Sequence, residues 1–296
     1  MNNKATSLMD KEKAALVGLE TLGYLEKKEN QGSISATVTR AIKRFQRHAA
    51  RPYRLPENTP DIFHGPESGV LDADTLSEIE KWLKRGWILP LGMFKLVKLP
   101  QGGQLRSDVA ADWAGIVSKV TAAGGTLEGP YGDTTRGIDF KPPAGASRYS
   151  FHYAGRALDL KQELAGGRKQ RYFVAKELTG GNLYWRIYCK VDGETNGSAF
   201  KAKSVKYYDF YAAKELDIPA GRYIDLTGMI EGDGRFERIR AQSGWEANTK
   251  KAEWWHFQYT VDKQQTIQDE LELIGFSESV LRKAGWTIKD LDYAPG

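Results

Sequence analysis

The chain has four histidines, and two of them stand in unusual surroundings: His152 within Ser150-Phe151-His152-Tyr153-Ala154-Gly155-Arg156-Ala157-Leu158-Asp159, and His256 within Glu253-Trp254-Trp255-His256. Each is accompanied by a carboxylate. Two imidazoles and one Asp meet the need of a hydrolytic zinc site, which uses about three N or O donors and keeps a further position open for water. The fourth group, Glu253, suits proton transfer better than ligation, because zinc brings the pKa of its water to about 7 and a neighbouring carboxylate can take up and return the proton.

Those side chains converge only if particular elements carry them. Gly155 allows a sharp turn after His152, and Ala157 to Leu160 read as a strand entering a core. Alternation along that strand puts Ala157 and Asp159 on one face and Leu158 and Leu160 on the other, so leucines anchor what the carboxylate presents. Glu253 and His256 are spaced to point to opposite faces of a regular strand, so a bulge or turn at Trp254 has to bring both to one site.

Around these segments the chain divides into regions of different periodicity. Helical spacing recurs three times in residues 10–85, through Leu16, Leu19 and Leu22, then Val38, Ala41, Ile42 and Phe45, then Leu76, Ile79, Trp82 and Leu83. Ser35 and Thr37 stand at the start of the second helix and Asp72 and Asp74 at the start of the third, while 51–68 reads as an irregular loop. A connector over 86–104 leads to an edge strand. Ser107 then opens a helix with Val109, Trp113, Ile116, Val117 and Val120 on one face. Strand-like runs follow at 125–129, 157–160, 171–178, 183–191, 205–212 and 254–260, with hairpin turns expected at 167–171 and at Gly180-Gly181. Helical spacing returns over 264–286 in a tail expected to pack on the sheet. The expected fold class is α+β: a three-helix domain at 1–86, then a mostly antiparallel-sheet domain at 100–296 with a β-rich insertion at about 161–240 and a helical tail.

Composition narrows the function classes. With 296 residues and 41% hydrophobic content, and a mean hydropathy of −0.53, the chain can bury one large core and one small one. The longest apolar stretch, Trp87 to Val97, is interrupted by Pro90, Gly92 and Lys95 and falls short of the roughly 20 apolar residues of a membrane span. No secretory signal is read at the amino terminus, so an activity outside the cytoplasm would depend on delivery by another system. The net charge of +5 is mild. Without a run of Lys and Arg or a phosphate-binding loop, it gives no reason to expect nucleic-acid binding. Cys189 is the single cysteine and belongs in a strand core. His48 and His64 lack ligand-like partners and are read as surface or loop residues.

Two resemblances add to this. The ordered set Leu19, Leu22, Gly23 and Tyr24, then Thr39, Ala41, Ile42, Phe45 and Gln46, then Gly69 to Asp72 and Thr75 resembles the three-helix peptidoglycan-binding modules that accompany cell-wall hydrolases. The motifs S-x-H-x-x-G-x-A-x-D and E-x-x-H resemble the two signatures of the zinc D-Ala-D-Ala carboxypeptidase and dipeptidase group. That group includes phage L-alanyl-D-glutamate endopeptidases and shares its fold with the hedgehog signalling domain. The resemblance implies that His152, Asp159 and His256 are zinc ligands, that Glu253 is the catalytic acid and base, and that bacterial peptidoglycan is the substrate. It points to an endolysin-like or exported endopeptidase, with a D-Ala-D-Ala carboxypeptidase or a non-catalytic wall-binding component as alternatives.

The group also uses an arginine upstream of its first histidine. Arg136 in Gly132-Asp133-Thr134-Thr135-Arg136 is the match, although the surrounding residues depart from the family's usual Ser-Gly-Tyr-Arg; Arg148 and Arg156 are rivals. A guanidinium there can clamp a substrate carboxylate or stabilise an oxyanion. Ser150 either donates to substrate or caps the turn. A second departure is the long interval between Asp159 and Glu253, whose hairpins carry Tyr172, Tyr184, Trp185 and Tyr188, as strand core or as lining of the cleft.

Overall fold

The computed structural model describes residues 8–30, 33–50, 62–141, 148–193, 199–201, 205–241 and 253–294. Most of the loop expected at 51–68, and most of the turn that the glycines at Gly193 and Gly197 lead one to expect, lie outside them. The chain divides into two compact units, Met1–Pro90 and Leu91–Gly296.

The first unit is helical among its described residues: α1 (Leu8–Thr21), α2 (Ala36–Ala49) and α3 (Ala73–Arg85). Short polar side chains start two of them, since Ser35 Oγ accepts from the Val38 amide at 3.2 Å and Asp72 Oδ1 from that of Thr75 at 2.8 Å. Each satisfies a backbone donor that the first helical turn leaves orphaned. Leu16, Leu19, Ile42, Phe45, Ile79 and Trp82 fill the core. His48 corrects the expectation of a surface histidine: it is buried, and its Nδ1 shares a 2.9 Å hydrogen bond with the Tyr24 hydroxyl. Polarity suggested solvent, but a polar ring is tolerated inside once it is hydrogen-bonded.

The second unit mixes helices with small antiparallel sheets. It begins with β1 (Leu96–Lys98) and β2 (Gln104–Arg106), which pair with each other, and continues into α4 (Ser107–Ala122). Next come β3 (Ala157–Asp159), the hairpin of β4 (Tyr172–Thr179) and β5 (Asn182–Val191), and β6 (Phe200–Lys201). They are followed by β7 (Lys206–Asp209), β8 (Lys214–Asp217), β9 (Arg222–Asp225), α5 (Leu226–Glu231) and β10 (Phe236–Arg238). The chain closes with β11 (His256–Tyr259), α6 (Ile267–Leu273), α7 (Glu278–Lys283) and α8 (Ile288–Leu291). The sheets run β10-β11-β3 and β4-β5-β9-β6, with β7-β8 as a separate pair.

Val109, Trp113, Ile116 and Val120 of α4 share one core with Val174, Ile187 and Cys189 of the long hairpin and with Phe236 and Phe257 of the smaller sheet. Burying each large apolar side chain contributes roughly 1.5–3 kcal/mol. The opposite face of the hairpin carries a second small core of Phe173, Tyr207, Ile218 and Tyr223.

Several expected elements change. The run 205–212 is not one strand, because Asp209 Oδ1 accepts from the amides of Tyr211 and Ala212 and turns the chain after β7. The hairpin turn expected at 167–171 is a single 3-10 turn, Gly167–Lys169, and 125–129 forms no strand. The tail does not pack on the sheet: Ile267, Leu271, Leu281 and Trp286 close around Tyr153 in the 3-10 turn Phe151–Ala154. No helix among the described residues is long and apolar enough to cross a membrane.

A buried ionic cluster ties these parts together. Glu270 on α6 pairs with both Arg106 and Arg156, all three being almost fully buried. Replacing Glu270 with Ala leaves the buried Arg156 guanidinium without a carboxylate partner and Arg106 with Asp108 alone, and is expected to cost about 3–5 kcal/mol, measured as a lower urea midpoint of unfolding. Burial pushes the Cys189 thiol up to about 11, so at pH 8 only about a thousandth is thiolate. A charged thiol reagent should leave the native protein unlabelled and react once per chain in denaturant.

Candidate metal centre

The ligand-type residues are brought together by one strand register. In the β11-β3 pair His256 lies directly opposite Asp159, and Phe257 opposite Leu158. Directly opposed residues of an antiparallel pair point to the same face with Cβ atoms about 4.5–5.5 Å apart, so imidazole and carboxylate meet while Phe257 and Leu158 turn into the core. His256 Nδ1 stands 3.0 Å from Asp159 Oδ1.

His152 arrives from the 3-10 turn. Gly155, at φ 65°, ends that turn in the left-handed region, where a side chain would also collide with the Arg106 backbone nitrogen at 2.8 Å. Its Nε2 lies 3.3 Å from Asp159 Oδ1 and 3.2 Å from His256 Nδ1. Around a tetrahedral ion with bonds of about 2.0–2.2 Å, donor atoms stand roughly 3.3–3.6 Å apart. The separations of 3.0, 3.2 and 3.3 Å are therefore close to those of three ligands on one face of such an ion, and these three residues could hold a metal.

Their electrostatics and outer contacts agree with that use. His152 Nδ1 lies 3.0 Å from the Thr134 carbonyl oxygen, which can only accept; Nδ1 therefore carries the proton and Nε2 offers its lone pair to the site. Burial works against the charge of the Asp159 carboxylate, but the imidazoles of His152 and His256 beside it outweigh that penalty and hold the group well below the usual carboxylate range.

Glu253 sits at φ 42°, an uncommon conformation for a residue with a side chain. The amide of His256 donates to the Glu253 carbonyl at 3.0 Å, closing a turn over Trp254 and Trp255. The strand expected from Trp254 thus starts only at His256, and of the bulge or turn that the spacing required the chain forms the turn. Trp254 anchors it, buried between Tyr172 and Phe210 at ring-centroid distances of 6.4 and 6.3 Å. Burial raises the Glu253 carboxyl above its usual value, and the charge of Asp159 adds to that effect.

The cleft over these three residues has a volume of about 480 Å³ and is lined by Arg136, Tyr149, Ser150, Phe151, Gln162, Ile239, Glu253, Trp255 and Gln258 as well. Arg136 reaches it with its Nε donating to Asp133 at 2.6 Å. Its rivals are occupied elsewhere. Arg156 is buried and bonded to Glu270 and to the carbonyls of Tyr259 and Asp262, and Arg148 lies 5.1 Å over the Trp286 ring. Ser150 caps the 3-10 turn, its Oγ accepting from the His152 amide at 3.3 Å, and also lines the cleft. The hairpin aromatics Tyr172, Tyr184, Trp185 and Tyr188 are not among the lining residues; Tyr172 acts behind the site, against Trp254.

Sequence reasoning missed Tyr149, Gln162, Ile239 and Gln258. Only Gln258 left a signal, being two residues beyond His256 and so on the same face of a strand. The geometry predicts one tightly held divalent ion per chain after zinc loading and gel filtration. Asp159→Ala removes the donor shared by both histidines and should reduce the retained zinc, read by atomic absorption, to a small fraction of the wild-type value. No protein-family model, no curated protein and no solved structure matches this chain, so the case for the centre rests on its own geometry.

Proposed function

We propose that the second unit is a zinc-dependent peptidase acting on peptide bonds of bacterial peptidoglycan, and that the three-helix unit is its wall-binding module. The observation that carries this reading is the convergence of His152, Asp159 and His256 at 3.0 to 3.3 Å on a cleft that Glu253 and Arg136 also line. A structural metal site would be closed by a fourth protein ligand, whereas a three-donor site beside a cleft leaves room for water and substrate. When bound, zinc supplies a Lewis acid that polarises the scissile carbonyl and makes water acidic enough to lose a proton near neutral pH.

The chain's own residues supply the rest. Glu253 takes a proton from the attacking water and returns it to the departing amine; its raised pKa brings the carboxyl nearer to the pH at which it must do both. Arg136 is oriented through its Nε by Asp133, which leaves the outer part of the fork for a substrate carboxylate or for the developing oxyanion. Ser150 holds the His152 turn and presents its hydroxyl to the same space. A wall-binding unit on the same chain would raise the effective concentration of peptide near the cleft.

Zinc-loaded wild type is expected to release peptides from purified peptidoglycan, and Glu253→Ala to retain zinc while losing at least about a hundredfold in rate. Equal release by both proteins would sink the peptidase reading. Mass spectrometry of the fragments then distinguishes a new amino terminus on D-glutamate, a split cross-link and free D-alanine.

A further inference from the structure

We propose that Thr134 is a positioning residue of the metal centre: with Thr135 it clips the segment that holds both His152 and Asp159 onto β2. The idea rests on the zinc reading of the site and extends it to residues that make no contact with the ion.

The segment 132–136 runs beside both amino-terminal ligands. The amide of Gly132 donates to the Asp159 carbonyl at 2.9 Å, and that of Asp159 donates to the Asp133 carbonyl at 2.7 Å. The Thr134 carbonyl receives His152 Nδ1, and the Arg136 amide donates to the His152 carbonyl at 3.1 Å. One short stretch therefore fixes the backbone of both ligands, the ring orientation of His152 and the root of Arg136.

That stretch has no place in a helix or strand of its own, so something else must hold it. The two threonines do so at a single residue. Thr134 Oγ1 accepts from the Gln104 amide at 3.0 Å, and Thr135 Oγ1 donates to the Gln104 carbonyl. Thr134 is buried, and it packs so closely on Gly103 that a Cβ there would lie 2.4 Å from its Oγ1.

The consequence is testable by metal affinity alone, without substrate. Partners that orient a metal-bound histidine typically control affinity by 10–100-fold. Thr134→Val keeps the shape and removes the acceptor. It should raise the zinc Kd of the full-length protein at least about tenfold, read by competition with a chromophoric chelator, and should alter the visible absorption of the cobalt-substituted protein. Thr134→Ser restores the acceptor and should stay within about twofold of wild type. Circular dichroism and the melting temperature of the metal-free proteins separate a lost clip from a lost fold. If Thr134→Val does not fold, Thr135→Val removes the other half of the clip and is expected to show the same loss. Wild-type affinity in the Val variants, or an equal loss in Thr134→Ser, overturns the proposal. Failure of the wild type itself to bind zinc would instead overturn the metal reading on which it stands.

Discussion

Everything at the site follows from the alignment of two short strands. His256 faces Asp159 across β11 and β3, and because strand side chains alternate with a period of two, a slip of one residue would send the imidazole into the core and Phe257 into the cleft. The register is held by that same alternation. Leu158 and Phe257 are fully buried in the main core beneath the face of His256 and Asp159, and exchanging them with those polar residues would expose apolar surface and bury charge together. Cleft and core residues thus specify one another.

The remaining parts serve this pair from outside. On one side Trp254, gripped by Tyr172 and Phe210 from the segment between the two motifs, sets the turn that carries Glu253 into the cleft. The long interval therefore has a mechanical role near the site although its hairpin aromatics do not line it. On the other side the tail closes around Tyr153, next to His152. Beneath both, Arg156 bonds the carbonyls of Tyr259 and Asp262 while pairing with Glu270 on α6, so the stretch between His152 and Asp159 is joined to the end of the strand bearing His256. Such a buried ionic cluster contributes little net stability against an apolar replacement, whereas losing one partner from it is costly.

The charge pattern of the cleft is equally constrained. Asp159 is held ionised by two imidazoles, whereas Glu253 is pushed toward its neutral form by burial. Two carboxylates with opposite shifts in one cleft are suited to different tasks, one as ligand and one as proton carrier. This division depends on surroundings, since the side chains are nearly the same in chemistry.

The sequence by itself determined the donor types and the local elements that present them. His152, Asp159, His256 and Glu253 stood out because histidines are few and each lay beside a carboxylate. The helices α1 to α4 and the β4-β5 hairpin were legible because periodicity and capping are local properties. Tertiary structure decided what depends on contacts distant along the chain. It placed Arg136 in the cleft and tied Arg156 into the buried cluster, a choice among three arginines that spacing could not make. It buried His48 against Tyr24, chose a turn pinned by Trp254 where either a bulge or a turn was expected before His256, and turned the tail toward Tyr153 instead of the sheet. In each case a polar or ambiguous residue gained a partner remote in sequence, and pairing of that kind leaves no periodic trace for a local pattern to reveal.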